Sequence, residues 1–290
     1  MITELRLINW KSFRDTRLYI NPLSVLIGLN ASGKSNLIDA LRFLQRSTYT
    51  SFTEAITGNA QVPEIRGGVE MSALIGERSF GMELVIQEEP NKTLHYSLEV
   101  VLTDHGQIPK VYLLSEKLLR RTVIGKYKKR VSEKQLLWTD PPEEQSEFIV
   151  ARIKNKRGTP HQLHRQSSAL SHLNSVEVVA EVKRALDTVR STLQRIFLLD
   201  PIPSHTRSFS RLNDSLNPDG GNVAGVIAGL NDDEQKRVED ALTKYVGELP
   251  DNPFSRIYTE LVGKFEQDAM LYGEEVLPRN KKIDIDARSM

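Results

Sequence analysis

Polar and apolar residues alternate over residues 2–8, the pattern of a half-buried strand. Leu18-Tyr19-Ile20 reads as a second short strand, closed by Asn21-Pro22. Residues 23–27 form a short apolar run of the buried-strand type, and Leu37, Ile38, Leu41 and Leu44 recur at helical spacing. Residues 47–68 are polar and broken by Gly58, Pro63 and Gly67-Gly68, which predicts an irregular loop. Alternation returns over 79–86 and 93–102, with turns at 88–92 and 104–106. A third strand follows at 111–119, and shorter ones at 136–138 and 148–151. Strands in succession joined by short turns predict an antiparallel meander. Residues 174–199 carry the longest helical pattern, capped by Asn174 or Ser175 and stopped by Asp200-Pro201-Ile202-Pro203. An Asp219-Gly220-Gly221-Asn222 turn predicts the cap of another helix. A helix at 232–246, a strand at 257–262 and a charged, extended tail from 274 complete the pattern.

One stretch in this pattern carries chemistry. Residues 28–36 read Gly28-Leu29-Asn30-Ala31-Ser32-Gly33-Lys34-Ser35-Asn36, a fit to G-x-x-x-x-G-K-[ST] between a predicted strand and a predicted helix. Gly28 and Gly33 permit backbone angles and close approach that a side chain would block. Consecutive backbone N–H groups then face one concavity, to which the helix start adds partial positive charge. Lys34 is placed to reach the β- and γ-phosphates of a nucleotide, and the Ser35 hydroxyl to ligate Mg²⁺.

The opening Asn9-Trp10-Lys11-Ser12-Phe13, roughly a dozen residues before the loop, and the asparagines at 30 and 36 resemble the SMC/RecF-type ABC ATPases. Ala31 stands where many members have glycine, a form common in a subgroup of small predicted ATPases, several of them in anti-phage defence. The resemblance implies an α/β (in part α+β) P-loop NTPase head of ABC/SMC type, with a mixed nucleotide-binding sheet, an antiparallel β lobe and a helical segment. It implies ATP and Mg²⁺ as cofactors. The nucleotide would contact Gly28, Asn30, Ala31, Ser32, Gly33, Lys34, Ser35 and Asn36, with Lys11 and Ser12 near the adenine and ribose. The expected division is 1–68 for the P-loop portion, 69–154 for the β lobe, 155–246 for the helical segment and 247–290 for a strand and tail. Glu64-Ile65-Arg66-Gly67-Gly68 resembles a recurring element of the same subgroup, with Arg66 open to a phosphate, a facing subunit or a surface ion pair.

Composition narrows the chemistry. Hydrophobic residues are 39% and charged residues 27%, ordinary for a soluble protein. The formal net charge of +1 gives no global basic field. With no cysteine there is no disulfide, thiol catalysis or Cys-ligated metal. No apolar run approaches a membrane span, and the first residues pattern as a strand, so a cytoplasmic protein without membrane contact is expected. Two basic runs, one from Arg120 to Lys134 and one from Arg152 to Arg157, could face nucleic acid. Nearby acids and sparse aromatic residues favour solvated faces instead. His161, His164 and His172 have no carboxylate close in sequence, which argues against a metal centre. By resemblance, a glutamine contacting Mg²⁺ and the attacking water would precede the long helix. Gln162 and Gln166 are the local candidates, neither marked out by its flanking pattern; the catalytic residue is left open, with Gln166 a candidate for it.

An ABC-type head also needs a signature loop and an apolar strand ending in Asp-Glu, and no run of that form follows residue 37. The chain therefore resembles the N-terminal portion of a head, with the catalytic carboxylates elsewhere. The expected partners are a second copy across sandwiched nucleotide, or a subunit supplying the other half, with DNA and an effector nuclease beyond these. The long helix, at about seven turns, is too short for cohesin-like arms. The reading is an ATPase of DNA repair or anti-phage defence, of which this chain binds ATP tightly with almost no turnover. A DNA-binding module and a small-molecule kinase on the same loop are the alternatives.

Overall fold

The computed structural model describes residues 1–60, 62–103, 109–125, 130–143, 146–153, 159–175 and 178–289. The alternating N-terminus forms β1 (Ile2–Trp10), which turns back through β2 (Phe13–Tyr19). The predicted meander follows as β3 (Ser79–Glu89), β4 (Lys92–Thr103), β5 (Lys110–Ile124), β6 (Arg130–Thr139), β7 (Phe148–Ile153) and β8 (Thr159–His164). All eight strands share one sheet, in the order β2-β1-β3-β4-β5-β6-β7-β8. β3 pairs directly with β1, so the meander continues the first strand and is not a separate lobe. The turn expected at 104–106 lies outside the described residues.

Period-two alternation places Leu5 and Leu7 on the same side of the sheet as Phe80, Met82, Leu84 and Ile86, all buried. Helix α1 (Lys34–Arg46) lays Leu37, Ala40, Phe43 and Leu44 on that face. Trp10, fully buried, meets Phe80 edge-on at 4.8 Å and Phe43 at 5.7 Å, and Phe43 meets Phe52 at 6.1 Å. Each such burial contributes roughly 1.5–3 kcal/mol, so this aromatic cluster fixes α1 against β1.

Contacts divide the chain into two compact units, Met1–Ile196 and Phe197–Met290. The first also holds α2 (Phe52–Thr57), a 3₁₀ turn at Ala169–Ser175 and α3 (Ala180–Gln194). The second contains α4 (Pro203–Thr206), β9 (Ser210–Arg211), α5 (Val223–Ala228), α6 (Asp232–Gly247), β10 (Phe254–Val262), β11 (Asp268–Leu277) and β12 (Lys281–Asp286). β11 is central, with β10 on one side and β12 and β9 on the other.

Several expectations need correction. Residues 23–27 pair with no strand among the described residues. Leu23, Val25 and Ile27 are at least three-quarters exposed, because a strand needs a neighbour to bury it. For the same reason every described strand pair is antiparallel, and the mixed pairing expected around the loop does not occur among them. The 47–68 loop contains α2, whose Ser51 side chain accepts the Glu54 N–H at 3.2 Å while Phe52, Ala55 and Ile56 enter the core. The long helix starts at 180, not 174, with Val179 as its cap residue. It ends at 194, where Ile196 to Leu199 run extended toward Asp200-Pro201. The charged tail is the β11–β12 hairpin.

In the second unit α6 closes the free edge of β10. The Thr243 hydroxyl accepts the Ile257 N–H at 2.8 Å, and Glu239 accepts both the N–H and the hydroxyl of Thr259 at 2.8 Å. Helix side chains thus take the place of a neighbouring strand. The Asp-Gly-Gly-Asn turn caps α5. Asn222 accepts the Asn217 N–H at 2.7 Å and donates to the Ser215 carbonyl at 2.8 Å. A Cβ on Gly225 would fall 1.9 Å from the Arg211 carbonyl oxygen, so α5 meets β9 only with glycine there.

Candidate functional site

Gly33, at φ +92°, is the N-cap of α1. No side chain caps the helix start, and its first turn has no acidic residue, so the first N–H groups keep their capacity for an anion. A Cβ on Gly33 would lie 3.1 Å from the Phe13 ring, and one on Gly28 would lie 3.0 Å from the Ser32 hydroxyl. Glycine thus lets the loop pack closely against Phe13 and fold onto Ser32. Ala31 adopts a left-handed φ of +65°. Lys34 Nζ donates to the carbonyl oxygens of Gly28 at 2.6 Å and Leu29 at 2.7 Å, and lies 3.4 Å from the Ser32 hydroxyl. Its ammonium is already held over the mouth of the loop. Ser35 is half-buried one residue further, and Asn30 is exposed.

The turn after β1 supports this loop. Trp10 Nε1 donates to the Asn36 carbonyl at 2.7 Å, and Asn36 Nδ2 donates to the Ser12 hydroxyl at 2.9 Å. Lys11 has a positive φ of 49° and an almost buried side chain. Its Nζ donates to Asp39 Oδ2 at 2.7 Å and to the Arg66 carbonyl at 2.8 Å. The Lys11 ammonium is therefore committed to α1, while the Ser12 hydroxyl meets the loop helix itself. Arg66 reaches the same Asp39 oxygen at 3.3 Å. Buried Arg46, its pKa lowered by desolvation, donates to the carbonyls of Ala55 and Pro63 and ties residues 55–63 to α1.

Gln166 lies in the turn after β8. Its backbone carbonyl accepts the Phe52 N–H at 2.8 Å, and the turn is pinned from below. Fully buried Glu116 accepts from the Ser168 hydroxyl at 2.7 Å, the Ala169 N–H at 2.8 Å and the Tyr96 hydroxyl at 2.9 Å. Gln162 stands on β8 opposite Val150. His161 and His164 share β8, where His164 packs edge-on to Phe148.

The described part of the basic runs is largely neutralised. Arg120 pairs with Glu88 and Glu181, Arg121 with Glu133, Lys134 with Glu181 and Arg152 with Asp140. Lys126, Lys128, Lys129, Lys154, Lys156 and Arg157 lie outside the described residues. Sequence reasoning missed Trp10 and Asp39 as supports of the site. A signal for Asp39 exists: it sits one helical turn after Ser35, with Arg42 three residues on.

A family profile described as AAA ATPase domain matches residues 1–170. The DNA replication and repair protein RecF from two strains of Porphyromonas gingivalis is 35% identical over 100 residues, which is 32% of this chain. The matched stretch covers 25% of each relative, so the chain spans about a quarter of the length of the curated relatives it matches. No helix among the described residues is long and apolar enough to cross a membrane.

Proposed function

The chain belongs to the AAA ATPase domain family, and we propose that it binds ATP with Mg²⁺ as an SMC/RecF-like ATPase of DNA repair or anti-phage defence. The observation that carries this reading is the loop from Gly28 to Asn36, with an uncapped helix start and a lysine ammonium held over its mouth. The cradle fits a polyphosphate: Gly28 and Gly33 let the loop pack tightly on Ser32 and Phe13, and no acidic side chain stands in the first turn to repel an anion. The unpaired backbone N–H groups at the start of α1 hold the phosphates, and Lys34 exchanges its two carbonyl partners for phosphate oxygens. The Ser35 hydroxyl holds Mg²⁺, which neutralises phosphate charge when bound. Ser12 orients Asn36 at the helix start, and Gln166 is the residue assigned to the attacking water. Residues 1–68 act as the nucleotide-binding portion, on a sheet that residues 69–154 extend without a break. The protein works in the cytoplasm.

Two heads closing on sandwiched nucleotide are the switch, with DNA and an effector nuclease as further partners. The apolar run at 23–27 supports a partner that supplies strands. Leu23, Val25 and Ile27 are exposed ahead of the loop, an arrangement open to strand addition. The pairing of the described basic residues with carboxylates disfavours a module that is chiefly DNA-binding.

Calorimetry of the chain with ATP and Mg²⁺ tests the core of this reading. Saturable heat is expected, lost in Lys34→Ala while the urea midpoint holds, with turnover near background. No heat with the unaltered chain sinks the reading, and brisk turnover sinks the claim that the hydrolytic carboxylates come from elsewhere.

A further inference from the structure

One side of β12 pairs with nothing among the described residues. Its other side is fixed by the register with β11, which sets Ile285 opposite Gly273 and Ile283 opposite Glu275. Just past the strand, the Ala287 N–H donates to the Leu271 carbonyl at 2.9 Å in the same register. Bonded positions alternate along an antiparallel strand. Ile283 and Ile285 therefore turn their N–H and C=O groups to β11, and Lys282 and Asp284 turn theirs outward. The offered stretch is short and bounded. Arg279, at φ +71°, turns the chain into the strand, and the Ser289 N–H takes up the Asp286 carbonyl at 2.9 Å.

That margin reads Lys282-Ile283-Asp284, a sequence whose charges complement themselves on reversal. Laid antiparallel on a second copy with Ile283 opposite Ile283, Lys282 of each copy faces Asp284 of the other. Both positions bond outward, so each such pair exchanges N–H and C=O bonds across the seam. A one-residue slip sets outward groups against inward ones. A two-residue slip brings Asp284 against Asp284 or Lys282 against Lys282, and like charges directly opposite are destabilising. Lysine on a sheet margin ordinarily repels a second strand. Here the aspartate two positions on converts that repulsion into the choice of one register.

The side chains agree with this pairing. Lys282 is 63% exposed and reaches Glu274 at 2.9 Å on its own sheet. Asp284, on the same face, is exposed and forms no salt bridge among the described residues, so it is open to a cation from outside. Ile283 and Ile285 lie half-buried on the opposite face. At the two-fold axis the Ile283 residues form a non-hydrogen-bonded pair, the kind in which side chains come closest. Pairing thus covers apolar surface on one face and neutralises charge on the other.

We propose that β12 is a homodimerisation edge, joined to the β12 of a second copy about a two-fold axis with Lys282 of each opposite Asp284 of the other. Such a contact is isologous and closed. It adds a strand to an open sheet margin and needs no nucleotide, which separates it from heads closing on ATP. A seam this short buries little surface, so the association is a weak one.

Sedimentation equilibrium of the full chain without nucleotide, over about a hundredfold range of concentration, tests this. The unaltered chain is expected to reach a dimer at the upper end. Lys282→Asp sets acid against acid at each pair, and Asp284→Lys sets base against base. Each variant alone should associate at least about tenfold more weakly. An equimolar mixture of the two restores opposite charges, and so does the double variant K282D/D284K by itself. Both should return to within about twofold of the unaltered affinity. Only folded chains can regain the pairing, so this recovery also excludes unfolding as the cause of the loss. Hydrogen exchange at the Lys282 and Asp284 amides should slow as the unaltered dimer forms. A chain that stays monomeric throughout overturns the proposal. So does a dimer that both single variants leave intact, a mixture and double variant that stay as weak as the single variants, or association that appears only with ATP.

Discussion

The indole N–H of Trp10 donates to the backbone carbonyl of Asn36 at 2.7 Å, joining the end of β1 to the first turn of the phosphate-loop helix. The bond lies in an aromatic cluster that excludes water. Trp10→Phe removes the donor and leaves space in the core. A lost hydrogen bond of about 1 kcal/mol and a small cavity of similar cost lower stability by about 2 kcal/mol. Urea unfolding measures this, and a midpoint equal to that of the unaltered chain would contradict the assignment.

Ala31 holds a left-handed conformation that disfavours any Cβ. Relief of that strain by Ala31→Gly is worth about 1–2 kcal/mol, against about 0.5–1 kcal/mol for glycine's extra freedom when unfolded. The strain is the larger effect, so Ala31→Gly is slightly stabilising. Ala31→Val, branched at Cβ, moves the other way. Thermal midpoints of the two variants should fall on opposite sides of the unaltered value.

The buried Glu116 carboxyl accepts from the hydroxyls of Tyr96 and Ser168 and from the Ala169 N–H, with no salt bridge among the described residues. Burial pushes its pKa up from the ordinary 4.5, and its hydrogen-bond donors offset only part of the rise. The folded chain thus holds a proton that the unfolded chain releases. That contribution is complete below the unfolded value and is lost as pH rises through the folded one. Relative to Glu116→Gln, the unaltered chain therefore loses stability as pH is raised from 4.5 toward neutrality. Urea midpoints of both proteins at several pH values read this directly. A constant difference means that Glu116 does not titrate differently on folding.

Glu239→Ala removes the acceptor for two Thr259 donors and one from Gln235. Leaving a buried backbone N–H unsatisfied costs about 1–3 kcal/mol. Hydrogen exchange at the Thr259 amide should accelerate in this variant more than exchange along β11. Equal acceleration at both would show a general loosening and remove the edge-closing role.

Much of this molecule is legible as residue pattern. Period-two alternation marked β1, β3 and β4, and the glycine-lysine spacing marked the loop, because both follow from local stereochemistry. The α2 segment was also legible in principle, since Ser51 and Glu54 have capping-box spacing. Residues 23–27 show where pattern stops: an apolar run declares that it wants a neighbour, and sheet pairing depends on which chain provides one. The Lys11–Asp39–Arg66 cluster joins residues 28 and 55 positions apart. Its members look like ordinary surface charges until the fold assembles them. The Glu239 contact with β10 is equally hidden, because the helix and strand patterns name the elements but not the side chain that bridges them.

The closing of β10 by α6 has a consequence for how the second unit can stack. Fibre growth by edge pairing needs two free flanks, so that each added sheet exposes a new acceptor. With Thr243 and Glu239 sealing one flank, the strand margins left open among the described residues lie on the other, at β12 and the short β9. A meeting of two copies along that flank uses up the open side of each and ends at a pair, so propagation along that sheet is blocked before it begins.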